Sequence, residues 1–184
     1  HTPFSHTSEY TGATEEEKWE NFIKGLENLP KDIKVIGIND YLFLDGYKKV
    51  IEYKNNNRLK NIDLILPVVE FRLREFVGNE QLRKINYHVI FAEQEILDID
   101  TIEAQFLSCF RSSCNLDVND VDGTTWGGVV TRESLIDLGK HVYKTTPEDK
   151  RKSDNYPEIG FNNISYSIDK LKECLGEIKE QNTY

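Results

Sequence analysis

Three of the four histidines, His1, His6 and His88, lie in the first half of the chain together with the carboxylates Asp40 and Glu70. Imidazole and carboxylate are the donors that hold Zn²⁺, Mn²⁺ or Fe²⁺, and an ion so held lowers the pKa of its water towards neutrality. In parallel α/β folds the site forms where strands end, and each candidate falls at or near the end of an apolar run. His1 and His6 stand where a preceding strand would finish, Asn39, Asp40 and Tyr41 follow residues 33–38, Glu70 closes 62–69, and His88 lies within 86–91. Together they describe a hydrolytic metal site, with Asp40 and Glu70 as catalytic carboxylates and His1, His6, Asp40, Glu70 and His88 as metal ligands. Arg72 and Arg74 alternate along one extended segment, so they share a face and could grip a phosphate. Structural readings stand beside these. His6 also reads as a loop residue and His88 as a hydrogen-bonded core histidine; Asp40 and Glu70 as helix caps or partners of Arg72 and Arg74; the two arginines as an exposed edge paired with Glu75.

The elements that must position these residues follow from hydrophobic periodicity. Thr14 and Glu17 form a capping box, and Trp19, Phe22, Ile23 and Leu26 then fall on one stripe, which predicts a helix over residues 15–28. Short β-branched runs predict strands at 33–38, 62–69 and 86–91, with a helix over 45–55 between the first two. Helical spacing returns at 99–110, 132–144 and 165–181, the last with Ile168, Leu171, Leu175 and Ile178 on one side. Polar stretches at 112–128 and 145–163 read as loops, and the charge run 148–152 as a solvated part of the second. His141 reads as a surface histidine. Strands alternating with helices imply βαβ units with parallel pairing.

Composition bounds the partners. The 184 residues carry 23 Lys and Arg against 32 Asp and Glu, a net charge of −9, which argues against a surface that coats nucleic acid. Three cysteines without zinc-finger spacing favour reduced thiols and a cytoplasmic setting, and no apolar run is long enough for a membrane span. Methionine is absent and the chain opens on His1, so a piece of a longer protein is expected, with a first strand upstream and further strands beyond Tyr184.

The motifs in order resemble one family. His1-Thr-Pro-Phe-Ser5 is similar to the end of the opening motif of the PHP (polymerase and histidinol phosphatase) superfamily. Gly37-Ile38-Asn39-Asp40-Tyr41 with Gly46-Tyr47 resembles its second motif, Leu66-Pro67-Val68-Val69-Glu70 its third, and Asn86-Tyr87-His88-Val89-Ile90 the histidine-bearing strand that follows. The wording is most like the PHP-like N-terminal domains of TrlF-type AAA-like or SMC-like bacterial ATPases. The resemblance implies a distorted (β/α)7 barrel, incomplete in this chain and forming one domain over 1–184, and a metal-dependent phosphoesterase or nuclease. It further implies a divalent metal (Zn, Mn or Fe), a phosphoester or nucleic-acid substrate, an ATPase domain in the same longer chain, and a DNA-related or anti-phage role; self-association into a homo-oligomer is compatible with it. His1 would be the second histidine of the opening pair and Glu70 the bridging carboxylate. Tyr41 departs from the pattern, because the family places a metal-binding histidine there and a phenol is a poor ligand. The alternative is a metal-depleted module that serves recognition, regulation or oligomerisation.

Overall fold

A computed structural model describes residues 1–5, 10–78, 83–92, 98–112, 115–116 and 130–181. The architecture is mixed α/β. Helix α1 (Glu15–Glu27) leads to strand β1 (Val35–Asn39), helix α2 (Asp45–Asn55), strand β2 (Leu64–Val77) and strand β3 (Arg83–Ile90). Then come α3 (Ile99–Thr101), a π-helical segment (Ile102–Leu107), α4 (Ser108–Ser112) and β4 (Asn115–Leu116). Helix α5 (Arg132–Thr145), a 3₁₀ turn (Glu148–Lys150), α6 (Tyr156–Asn162), β5 (Ile164–Ser165) and α7 (Ile168–Gln181) complete the order. One sheet has strand order β1-β2-β3, and β4 pairs antiparallel with β5.

The expected parallel pairing is present: β1 and β2 run in register from Val35 opposite Leu64 to Asn39 opposite Val68, with α2 as the crossover. That register brings Asn39, the last residue of β1, and Glu70, two residues past its partner Val68 in β2, to the same end of the ladder. The described residues form a small open sheet and not a complete (β/α)7 barrel.

The chain divides into two compact units, residues 1–70 with 88–99 and residues 71–87 with 100–184. In the first, α1 buries Trp19, Phe22 and Ile23 against Ile38, Tyr47, Val50, Leu59, Ile62 and Ile65. Thr14 caps α1 by accepting from the Glu17 N–H, as the capping box predicts.

In the second unit the core is aromatic. The Phe71 ring lies 4.5 Å from Phe110, 5.4 Å from Tyr166 and 6.0 Å from Phe106. The helix expected over 99–110 contains a π-helical stretch, whose wider turn turns both Phe106 and Leu107 inward with Ile102. Residues 145–163, read as loop, contain α6, where Asn155 caps the first turn by accepting from the Glu158 N–H. Helices α5 and α6 meet so closely that a Cβ on Gly139 would strike the Tyr156 carbonyl and one on Gly160 the Leu135 carbonyl. In the charge run, Arg151 donates to the Tyr143 and Thr146 carbonyls and so closes the end of α5. His141 is exposed on α5, as expected. Helix α7 starts at Ile168, later than residue 165, because Ser165 and Tyr166 are held in strand pairings. Ile168 is exposed, and Leu171 with Cys174 takes the buried positions.

The expectation of reduced thiols is not met for two of the cysteines: Cys109 and Cys174 form a disulfide with their Cα atoms 5.9 Å apart. The odd cysteine count pointed away from a bridge, but cysteines far apart in sequence carry no spacing signal. Cys114 and the expected loop over 112–128 lie almost wholly outside the described residues.

Candidate functional site

The site grows from the end of β1. Asn39 is its last residue, Asp40 follows, and Tyr41 turns the chain in the left-handed region with φ of 60°. That conformation costs a non-glycine residue about 1–2 kcal/mol, and two backbone bonds hold it. The Tyr41 N–H donates to Asn39 Oδ1 at 2.8 Å, and the Tyr41 carbonyl accepts from the Glu70 N–H at 2.9 Å. Because Asn39 Oδ1 must face the Tyr41 N–H, its Nδ2 faces the other way, and it donates to Glu70 Oε2 at 2.8 Å. One amide therefore ties the turn after β1 to the carboxylate of β2.

Asp40 and Glu70 are the acidic side chains that are buried among the described residues. A buried carboxylate is costly unless donors surround it, and each has them. Asp40 Oδ1 accepts from the Thr2 N–H at 2.7 Å and Oδ2 from the Thr2 hydroxyl at 2.6 Å. Gly46, in the first turn of α2, leaves the room: a Cβ there would collide with Asp40 Oδ2 and with Thr2. The carboxylate so placed lies at the positive end of the α2 dipole. Its negative charge, after burial, also holds the Tyr10 phenol above its ordinary pKa.

Fixing Thr2 fixes His1. The His1 ring stacks on Tyr41 with centroids 4.5 Å apart, and its Nε2 lies 3.8 Å from Glu70 Oε2. From the following strand, His88 Nε2 lies 3.3 Å from the same oxygen. The Glu70 side chain is 6% exposed, whereas those of His1 and His88 are 33% and 47% exposed. The arrangement is a buried carboxylate at the floor and two solvent-reachable imidazoles at the rim.

The sequence-predicted residues thus separate. His1, Glu70 and His88 come together, and the core reading of His88 does not hold. Asp40 is adjacent but engaged with Thr2. His6 lies outside the described residues. Arg72 and Arg74 belong to the second unit. Thr2 and Asn39 were not predicted to organise the site; polar residues directly beside His1 and Asp40 were the signal that could have pointed to them.

Tetrahedral coordination with bonds of roughly 2.0–2.2 Å sets neighbouring donors about 3.4 Å apart, close to the 3.3 Å and 3.8 Å separations found here. Among the described residues no group of three or more His, Cys, Asp or Glu side chains is placed so as to hold a metal ion. The donor types suit such an ion and both imidazoles approach Glu70 Oε2, while Asn39 Nδ2 donates to that same oxygen. No protein-family model, curated protein or solved structure matches the chain.

Proposed function

We propose that the chain is a PHP-like, metal-dependent phosphoesterase or nuclease domain acting through the Glu70 cluster. The observation that carries this reading is the approach of two imidazole nitrogens, from His1 and His88, to one oxygen of a buried carboxylate. A divalent metal held by His1, Glu70 and His88 would supply a Lewis acid for a phosphoryl oxygen and a water of lowered pKa. The protein's own part is positional. Asn39 aims Glu70, Tyr41 and Thr2 aim His1, and Asp40 anchors Thr2, so Asp40 is a positioning residue in this reading and not a ligand. The exposed rim gives a substrate access, and the buried floor keeps the carboxylate away from competing solvent. On the resemblance of its motifs, the domain serves a larger bacterial ATPase-linked protein with a DNA-related or anti-phage role.

Two observations favour the second reading, a metal-depleted recognition or oligomerisation module. Tyr41 stands where the family has a ligand and packs flat on His1, and both Asp40 oxygens are already taken. Hydrolysis of bis(p-nitrophenyl) phosphate with added Mn²⁺ or Zn²⁺ separates the two. Metal-dependent turnover that falls at least tenfold in Glu70→Gln supports the enzyme. Absence of metal-dependent turnover, or turnover unchanged in the variant, supports the module.

A further inference from the structure

We propose that Arg72, resting on Phe161 beside Ser165, forms a binding site for a terminal phosphoryl group within the second unit, whatever the Glu70 cluster holds.

The other well-placed arginines have evident partners. Arg58 is clasped by Glu20 and Glu27, and Arg151 by backbone carbonyls and Glu148. Arg72 is different. Its guanidinium lies 5.5 Å from the ring centroid of Phe161, and among the described residues it has neither an ion pair nor an acceptor for its buried Nε. This holds in a chain with 32 acidic residues against 23 basic ones. A half-buried guanidinium without counter-charge carries a desolvation cost that an anion removes.

A second donor on the same face also lacks an acceptor. Leu73 and Tyr166 form a parallel bridge, with the Tyr166 N–H donating to the Arg72 carbonyl and the Arg74 N–H to the Tyr166 carbonyl, each at 3.0 Å. Arg72 and Ser165 each precede a bridged residue, so their side chains share the face opposite Leu73 and Tyr166. The Phe71–Tyr166 ring contact marks that opposite face. Ser165 is 1% exposed, and its hydroxyl has no partner among the described residues. Lys84 donates to the Asn162 carbonyl at 3.2 Å, which places a second cation at the residue that follows Phe161.

These donors select the ligand. A guanidinium fork alone suits a carboxylate, but a fork with an added hydroxyl donor suits a tetrahedral group with further oxygens. Phe161 supports the guanidinium from one side, and docking at its outer edge draws Arg72 outward enough to give Nε and the Ser165 hydroxyl an acceptor.

The test follows the thermal midpoint of the full chain during titration with inorganic phosphate, against sodium chloride at equal ionic strength. A phosphate-specific rise is expected. It disappears in Arg72→Gln, and it needs on the order of tenfold more phosphate in Arg72→Lys, which keeps the charge and loses the fork. Ser165→Ala weakens the response several-fold. Circular dichroism of Arg72→Lys establishes that the comparison is between folded proteins. No phosphate-specific rise in the wild type, or an equal rise in Arg72→Lys and wild type, overturns the proposal. A rise given by a short oligothymidylate lacking terminal phosphates but not by inorganic phosphate overturns it as well.

Discussion

Both carboxylate oxygens of Asp40 are taken by a single residue, Thr2, through its N–H at 2.7 Å and its hydroxyl at 2.6 Å. Thr2 is fully buried, so losing its hydroxyl removes a donor from a buried carboxylate oxygen. Thr2→Val is expected to lower stability by about 1–3 kcal/mol, with Thr2→Ser restoring most of it. Gly46→Ala, which pushes a methyl into the same pair, costs a comparable ~1–3 kcal/mol. Urea denaturation measures both; a Thr2→Val protein as stable as the wild type would show that the tether carries no weight.

Arg58 gives a pH-dependent prediction. Its guanidinium hydrogen-bonds Glu27 and holds that carboxyl below its ordinary pKa of 4.5, the Leu59 N–H contributing less. A depressed folded-state pKa stabilises the fold above the unfolded value, and the contribution disappears as pH falls through the folded value. The stability gap between wild type and Glu27→Gln should therefore be constant from about pH 8 to about pH 5 and close below that. Urea midpoints across pH check it. A gap that persists undiminished at about pH 3 contradicts the assignment.

The Cys109–Cys174 bridge closes a loop with a sequence separation of 65 residues. In the chain-entropy account a loop of that length is worth about 4 kcal/mol. Peptide mapping without reductant should recover the two cysteines in one linked peptide, and reductant should lower the thermal midpoint. Separate, alkylatable Cys109 and Cys174 in unreduced protein would refute the pairing.

Much of the first unit was legible because its signals are local. The stripe from Trp19 to Leu26, the capping Thr14 and the β-branched run before Asn39 give α1 and β1 nearly to the residue, and α2 matches the expected 45–55. Where tertiary contacts decide, the sequence said less. Strand β2 continues to Val77, past the apolar run that ends at Val69, since its later residues pair with the segment around Tyr166. Helix α6 has only seven residues and too little length for periodicity, so its Asn155 and Pro157 read as loop signals although they also start helices. At the site, the residue types at His1, Glu70 and His88 pointed to their meeting. The engagement of Asp40 did not show, because its partner Thr2 is 38 residues away and threonine has no distinctive pattern.

Calorimetric titration of Mn²⁺ or Zn²⁺ into the chelator-treated chain shows whether His1, Glu70 and His88 act as one ligand set. Saturable binding is expected, weakened by an order of magnitude or more in Glu70→Gln and in His88→Gln, with the circular dichroism of both variants unchanged. No saturable binding by the wild-type chain, or the same affinity in both variants, would contradict it.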